Sequence, residues 1–226
     1  MDPHTIRQGG GVAEPSVAVW IASGQSNLIT GSGVPDGWTD DSLIKVWSVA
    51  AGDWVTYSPG VGVAGQSDGV DNDGWGAIAN AAKAWRAANP SETLYIISNG
   101  KGSSQISLWS RPSGDLWIQT TDIIDDAIAS LDGQNPIVRL FYWEQGEADA
   151  VGTTNYATPL TNLISNARTY WYVPATCRIA IGRTVRPGQS TIKQVRDQQA
   201  AVALADPYVY LFDKDDFPGD GLHFTN

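Results

Sequence analysis

Histidine and cysteine are scarce in this sequence, two and one respectively in 226 residues. A single cysteine, Cys177, excludes an internal disulfide. It lies beside an expected strand with no histidine near it in sequence, so nothing favours a reactive thiolate there. Long apolar runs are also missing. None approaches the ~18 residues that span a bilayer, so membrane insertion is not expected. Basic residues are in deficit, 14 Lys and Arg against 24 Asp and Glu, for a net charge of −10. Nucleic acids and anionic membranes are bound by basic faces, so neither is an expected partner. The same deficit fits poorly with tight capture of a polyanionic glycan.

No secretory signal is visible: the first residues are polar, and the apolar run from Val17 continues into a motif. An extracellular or virion-associated protein is nevertheless the expectation. Its export information would lie elsewhere, or the chain would be part of a larger particle such as a phage tail. Gly9-Gly10-Gly11 followed by Ala13-Glu14-Pro15 reads as a linker. Residues 1–15 are therefore taken as a flexible leader and 16–226 as one domain excised from a larger multidomain protein. No repeat of 20–50 residues points to a solenoid.

What is present centres on residues 16–27, SVAVWIASGQSN. A continuous apolar run ended by a small polar cluster reads as a buried parallel strand. The turn behind such a strand lies at the carboxyl edge of the sheet, where open α/β sheets place their ligands. Gly24 allows the sharp bend and leaves Ser26 on the rim. The alternative is a plain strand-to-helix turn, with Ser26 or Asn27 as a helix cap.

A serine hydroxyl needs a base within hydrogen-bond reach. His4 lies in the polar leader, which leaves His223. Asp220, three residues earlier, is placed to hold the far ring nitrogen. Nucleophile, base and orienting acid are then Ser26, His223 and Asp220.

GQSN at 24–27, WEQGEAD at 143–149 and DGLHF at 220–224 together resemble the sequence blocks of SGNH hydrolases. The resemblance is to the sialate O-acetylesterase-like branch, which includes acetylxylan esterases of carbohydrate esterase family six. It runs from residue 16 to the end of the chain. It implies a flavodoxin-like fold and removal of O-acetyl groups from a carbohydrate, with an acetylated glycan as partner and neither cofactor nor metal. It also implies an oxyanion hole built from the Ser26 amide, an amide of the 102–103 loop and the side-chain amide of Gln145. In that loop Gly102 and Trp109 keep the family spacing, while Ser103 stands where a second glycine is usual. Either Gly102 or Ser103 could supply the amide. Gln25, Asn27 and Glu147 are expected to support the site, Glu147 by bracing its loop. Ser67, in a second GQS at 65–67, lacks the strand and the Asn and is read as a loop serine.

Strands are expected at 17–22, 93–98, 137–143, 178–185 and 208–212, with shorter ones at 42–48 and 53–57. Helices are expected at 76–88, 115–131, 153–171 and 189–205. Such alternation gives a three-layer α/β/α sandwich around a central parallel sheet. Ten tryptophans supply core, and Trp38, Trp109 and Trp143 could also meet sugar rings. Rival readings are a paired-carboxylate glycosidase using Glu144, Glu147 or Asp149, a lipase or thioesterase of the same class acting on longer acyl chains, and a glycan-binding module without turnover. The resembling family continues past the histidine into a closing helix, so Phe224 is expected to pack inward and anchor this end.

Overall fold

A computed structural model describes residues 16–30, 34–74, 78–152, 155–184 and 190–215. Its centre is β1 (Val17–Gly24), buried along almost its whole length, as expected of a strand covered on both faces. Parallel β6 (Leu94–Gly100) lies on one side of β1 and parallel β7 (Pro136–Glu144) on the other. Next to β6 come β2 (Ile44–Ser48) and then β3 (Asp53–Thr56). Beyond β7 come β8 (Arg178–Gly182) and β9 (Val209–Phe212). Consecutive strands are thus laid down first to one side of β1 and then to the other. The turn after β1 stands where the strand order reverses, the position at which such sheets bind ligands.

Helices α3 (Asp115–Ala129), α4 (Ala157–Tyr170) and α5 (Ser190–Ala205) pack on one face, and α2 (Ile78–Ala88) on the other. Each buries a stripe at helical spacing: Leu116, Thr120, Ile123, Ile124 and Ala127 in α3, and Leu160, Leu163, Ile164 and Ala167 in α4. Arg86, in the last turn of α2, donates to the carbonyls of Asn89 and Glu92 and pairs with Asp41, closing that end. No helix among the described residues is long and apolar enough to cross a membrane.

The sheet departs from the sequence reading in two respects. It is not wholly parallel, because β3 runs antiparallel to β2. And residues 65–67 are not loop but a short strand, β4 (Gly65–Ser67), antiparallel to β5 (Val70–Asn72) and parallel to the end of β6. Gly65 makes this possible, since a Cβ there would lie 2.7 Å from the Ser98 side chain. Gln66, fully buried, secures the strand by donating to the Trp47 carbonyl at 2.7 Å and to Asp71 at 3.0 Å.

Candidate active site

The turn at 24–27 is held from both sides. The Gln25 N–H donates to the Glu144 carbonyl at 2.8 Å, and the Lys101 N–H donates to the Gly24 carbonyl at 3.0 Å. The exits of β1, β7 and β6 are therefore locked to one another. Gly24 has φ 154°, and a Cβ on it would lie 2.0 Å from the Glu144 carbonyl oxygen. Only glycine fits there. α1 (Ser26–Ile29) begins at Ser26, with Gln25 in the cap position and no side-chain capping bond. The turn does lead from strand to helix, but the cap position falls to Gln25 and to neither Ser26 nor Asn27.

Ser26 opens into a cleft of about 580 Å³. Gln25, Glu147, Ser103, Gln105 and Ser107 give the cleft a neutral or acidic polar lining, while Leu108, Ala148 and Val151 form an apolar wall. Val151 is 83% exposed, so the wall ends at an open rim. Glu147 braces its loop as expected: it accepts from the Asn27 side-chain amide at 3.2 Å. Gln25 extends the brace, its side-chain oxygen accepting from the N–H groups of Ala148 at 3.3 Å and Gly146 at 3.4 Å. The three supporting residues tie the nucleophile turn to the loop after β7.

In the loop after β6, Ser103 lines the cleft beside Ser26 and Gly102 does not. Ser103 has φ 58°, the left-handed conformation that glycine adopts without strain. The residue that departs from the family spacing thus occupies the position where a glycine is physically favoured. Ser103→Gly is expected to stabilise the fold by about 0.5 kcal/mol, because relief of the left-handed backbone slightly exceeds the extra freedom of glycine in the unfolded chain. Differential scanning calorimetry would register this as a rise of roughly 1–2 °C in Tm.

Gln145 is a correction. The resemblance implies an oxyanion donor at this residue, but its side chain is fully buried and lies off the cleft. Its side-chain nitrogen donates to the Ser104 carbonyl at 2.9 Å and to Asp149. These two bonds use both hydrogens of the amide. Its side-chain oxygen and its backbone carbonyl share the one Tyr156 hydroxyl hydrogen, at 2.7 and 2.9 Å, and the carbonyl also accepts from Gln199 at 3.0 Å. Burial pushes the Tyr156 phenol well above the usual tyrosine range, so it remains a donor. Gln145 therefore organises the floor beneath the cleft. Asp149 completes that floor by accepting from the Ile106 N–H at 2.8 Å, which fixes the loop containing Ser103.

The same contacts weaken the glycosidase rival. Glu144 is fully buried, with its carboxylate on Tyr142 and Lys214, and Asp149 is 3% exposed and committed to the floor. Of the three carboxylates only Glu147 reaches the cleft, and a paired mechanism needs two flanking the scissile bond.

Trp109 and Trp143 are core residues, packed edge to face with centroids 5.2 Å apart. Trp38 packs on Tyr57 at 5.4 Å with the Lys83 ammonium over its ring, and none of the three lines the cleft. Burial pushes the Cys177 thiol up to about 11, consistent with an inert core cysteine. Asp220, His223 and Phe224 lie outside the described residues. The sequence reading passed over Lys214, Tyr156 and Gln199. They contact Glu144 and Gln145 across 70, 11 and 54 residues respectively, and nothing local to any of the three marks those contacts.

Fold and cleft together have the SGNH-like arrangement, with a serine at the sheet's switch point and loops from neighbouring strands around it. Residues 16–226 match the family described as carbohydrate esterase, sialic acid-specific acetylesterase, and the chain belongs to that family. No curated protein matches it in sequence. Among solved structures it is similar to a protein from Arabidopsis thaliana, with a TM-score of 0.72, 22% identity, and coverage of 93% of this chain and 92% of that one. A carbohydrate acetylesterase from Xanthomonas citri gives a TM-score of 0.63 at 19% identity, over 89% of this chain but 51% of that protein, so the chain spans about half its length. Axe2, an acetylxylan esterase from Geobacillus stearothermophilus, gives a TM-score of 0.54 at 13% identity, over 94% and 89%. At these identities the likenesses establish the fold; family membership supports esterase activity.

Proposed function

We propose that this protein removes O-acetyl groups from a carbohydrate through an acetyl-enzyme intermediate. The observation that carries the reading is the placement of Ser26. It stands at the carboxyl end of the central strand, in a cleft it shares with Ser103. In this mechanism the Ser26 Oγ attacks the acetyl carbonyl while His223, oriented by Asp220, accepts the hydroxyl proton. The carbonyl oxygen takes on negative charge and is met by the N–H groups of Ser26 and Ser103. Such preorganised donors are typically worth ~2.7–4 kcal/mol each. His223 then passes its proton to the sugar oxygen as the ester bond breaks. Water, deprotonated by His223, attacks the acetyl-enzyme and releases acetate, regenerating Ser26.

The polar lining, which carries no basic side chain, suits sugar hydroxyls, and the short apolar wall of Leu108, Ala148 and Val151 suits a small acyl group. A p-nitrophenyl ester series tests the reading. The expected result is hydrolysis of the acetate with kcat/KM falling at least roughly tenfold by the butyrate, since each misplaced methylene is worth ~1–3 kcal/mol in a fitted pocket. A maximum at longer chains would indicate a lipase-like enzyme. No hydrolysis beyond the Ser26→Ala background would indicate a binding module.

A further inference from the structure

Glu144 is the last residue of β7, and its surroundings are unusual for a carboxylate. It is fully buried, and its side chain receives the Tyr142 hydroxyl and the Lys214 ammonium, itself 1% exposed. Glycines flank it on both neighbouring strands, Gly24 of β1 and Gly182 of β8. A Cβ on Gly182 would lie 2.0 Å from the Glu144 carboxylate, so that strand leaves room for the acid. On the other side, the Glu144 carbonyl accepts the Gln25 N–H immediately before Ser26. One residue therefore grips the nucleophile turn with its backbone and, with its side chain, the chain just past β9. Lys214 stands two residues beyond the end of β9, six before Asp220 and nine before His223.

A buried ion pair is often no more stabilising than apolar residues of the same shape. Its distinctive contribution is geometric, because a buried charge is held where its counter-charge and hydrogen-bond partners stand. We propose that the Glu144–Lys214 pair is a positioning device: it fixes where the acid–base segment departs from the sheet relative to Ser26. This rests on the esterase reading, with His223 as the base. Glu144 touches no substrate in this scheme and acts only through Gln25 and Lys214.

The test compares kcat, KM and Tm, with p-nitrophenyl acetate as substrate, for the wild type, Ser26→Ala, Glu144→Gln, Lys214→Met and the double variant Glu144→Gln/Lys214→Met. Each single variant loses Tm because it leaves the partner group buried without its counter-charge or full hydrogen bonding, and the double variant recovers much of that loss. In the double variant kcat is expected to fall roughly 10²-fold with KM within about threefold of wild type, the signature of misplaced catalytic groups behind an intact binding cleft. A double variant with wild-type kcat, or with KM raised and kcat unchanged, overturns the inference and leaves the esterase reading standing. Wild-type protein no faster than Ser26→Ala removes both. If the double variant does not fold, Glu144→Asp carries the test, since it keeps the charge but draws the carboxylate back by one methylene. A fall in kcat at retained KM and Tm is then expected, and unchanged kcat refutes the proposal.

Discussion

Ser26→Ala is expected to lower kcat for p-nitrophenyl acetate by roughly 10⁴–10⁶-fold, with little change in Tm or circular dichroism. The size of the effect follows from what alanine removes. Without the hydroxyl no acyl-enzyme forms, and what remains is the contribution of the oxyanion donors and of binding. The fold should tolerate the change. Ser26 opens a four-residue helix whose cap position is Gln25, and its turn is held by the Gln25 and Lys101 N–H groups. Stopped-flow or steady-state assay on the purified variant checks the rate, and a thermal melt on the same sample checks the fold.

Gly24→Ala is expected to destabilise the protein by roughly 3–5 kcal/mol, a large share of the ~5–15 kcal/mol that holds a domain folded. Two effects add. A methyl at this position would stand 2.0 Å from the Glu144 carbonyl oxygen, and the backbone φ of 154° suits glycine alone. Relief requires β1 to move away from β7, which breaks the Gln25–Glu144 hydrogen bond at the core of the site. Low soluble yield, or a Tm lowered by about 10 °C, is the expected outcome of expression followed by calorimetry. Gly102→Ala is the control: a Cβ there meets nothing within 4 Å and its φ is not positive, so Tm should hardly change.

How much of this was legible in the sequence depended on the distance over which each feature is decided. The run from Val17 to Ala22 announces a buried strand because a parallel strand covered on both faces is apolar at every position, and the structure bears this out. α3 and α4 were legible because their apolar spacing repeats over several turns. β4 and β5 were not, because strands of three residues have no periodicity to read, and GQS and VDN are mostly polar. Their pairing is settled by Gly65 against Ser98 and by Gln66 against Trp47.

At the site, the placement of Ser26 and the bracing by Glu147 followed from local motif chemistry. Gln145 misled because a side-chain amide can serve an oxyanion or a backbone carbonyl equally well. What decides between them is the partners it meets, Ser104, Asp149 and Tyr156. The Glu144–Lys214 pair joins residues 70 apart in the chain, and no local pattern announces such a contact. The second residue of the Gly102-Ser103 pair gained its meaning only from the backbone angle, which composition does not reveal.

In the proposed mechanism Ser26 is a nucleophile activated by His223. Peptide mapping by mass spectrometry after brief exposure to a fluorophosphonate measures it most directly. A single adduct on the peptide containing Ser26 is expected, with labelling slowed by several orders of magnitude in His223→Ala. An adduct on another residue, or equal labelling with and without His223, would contradict it.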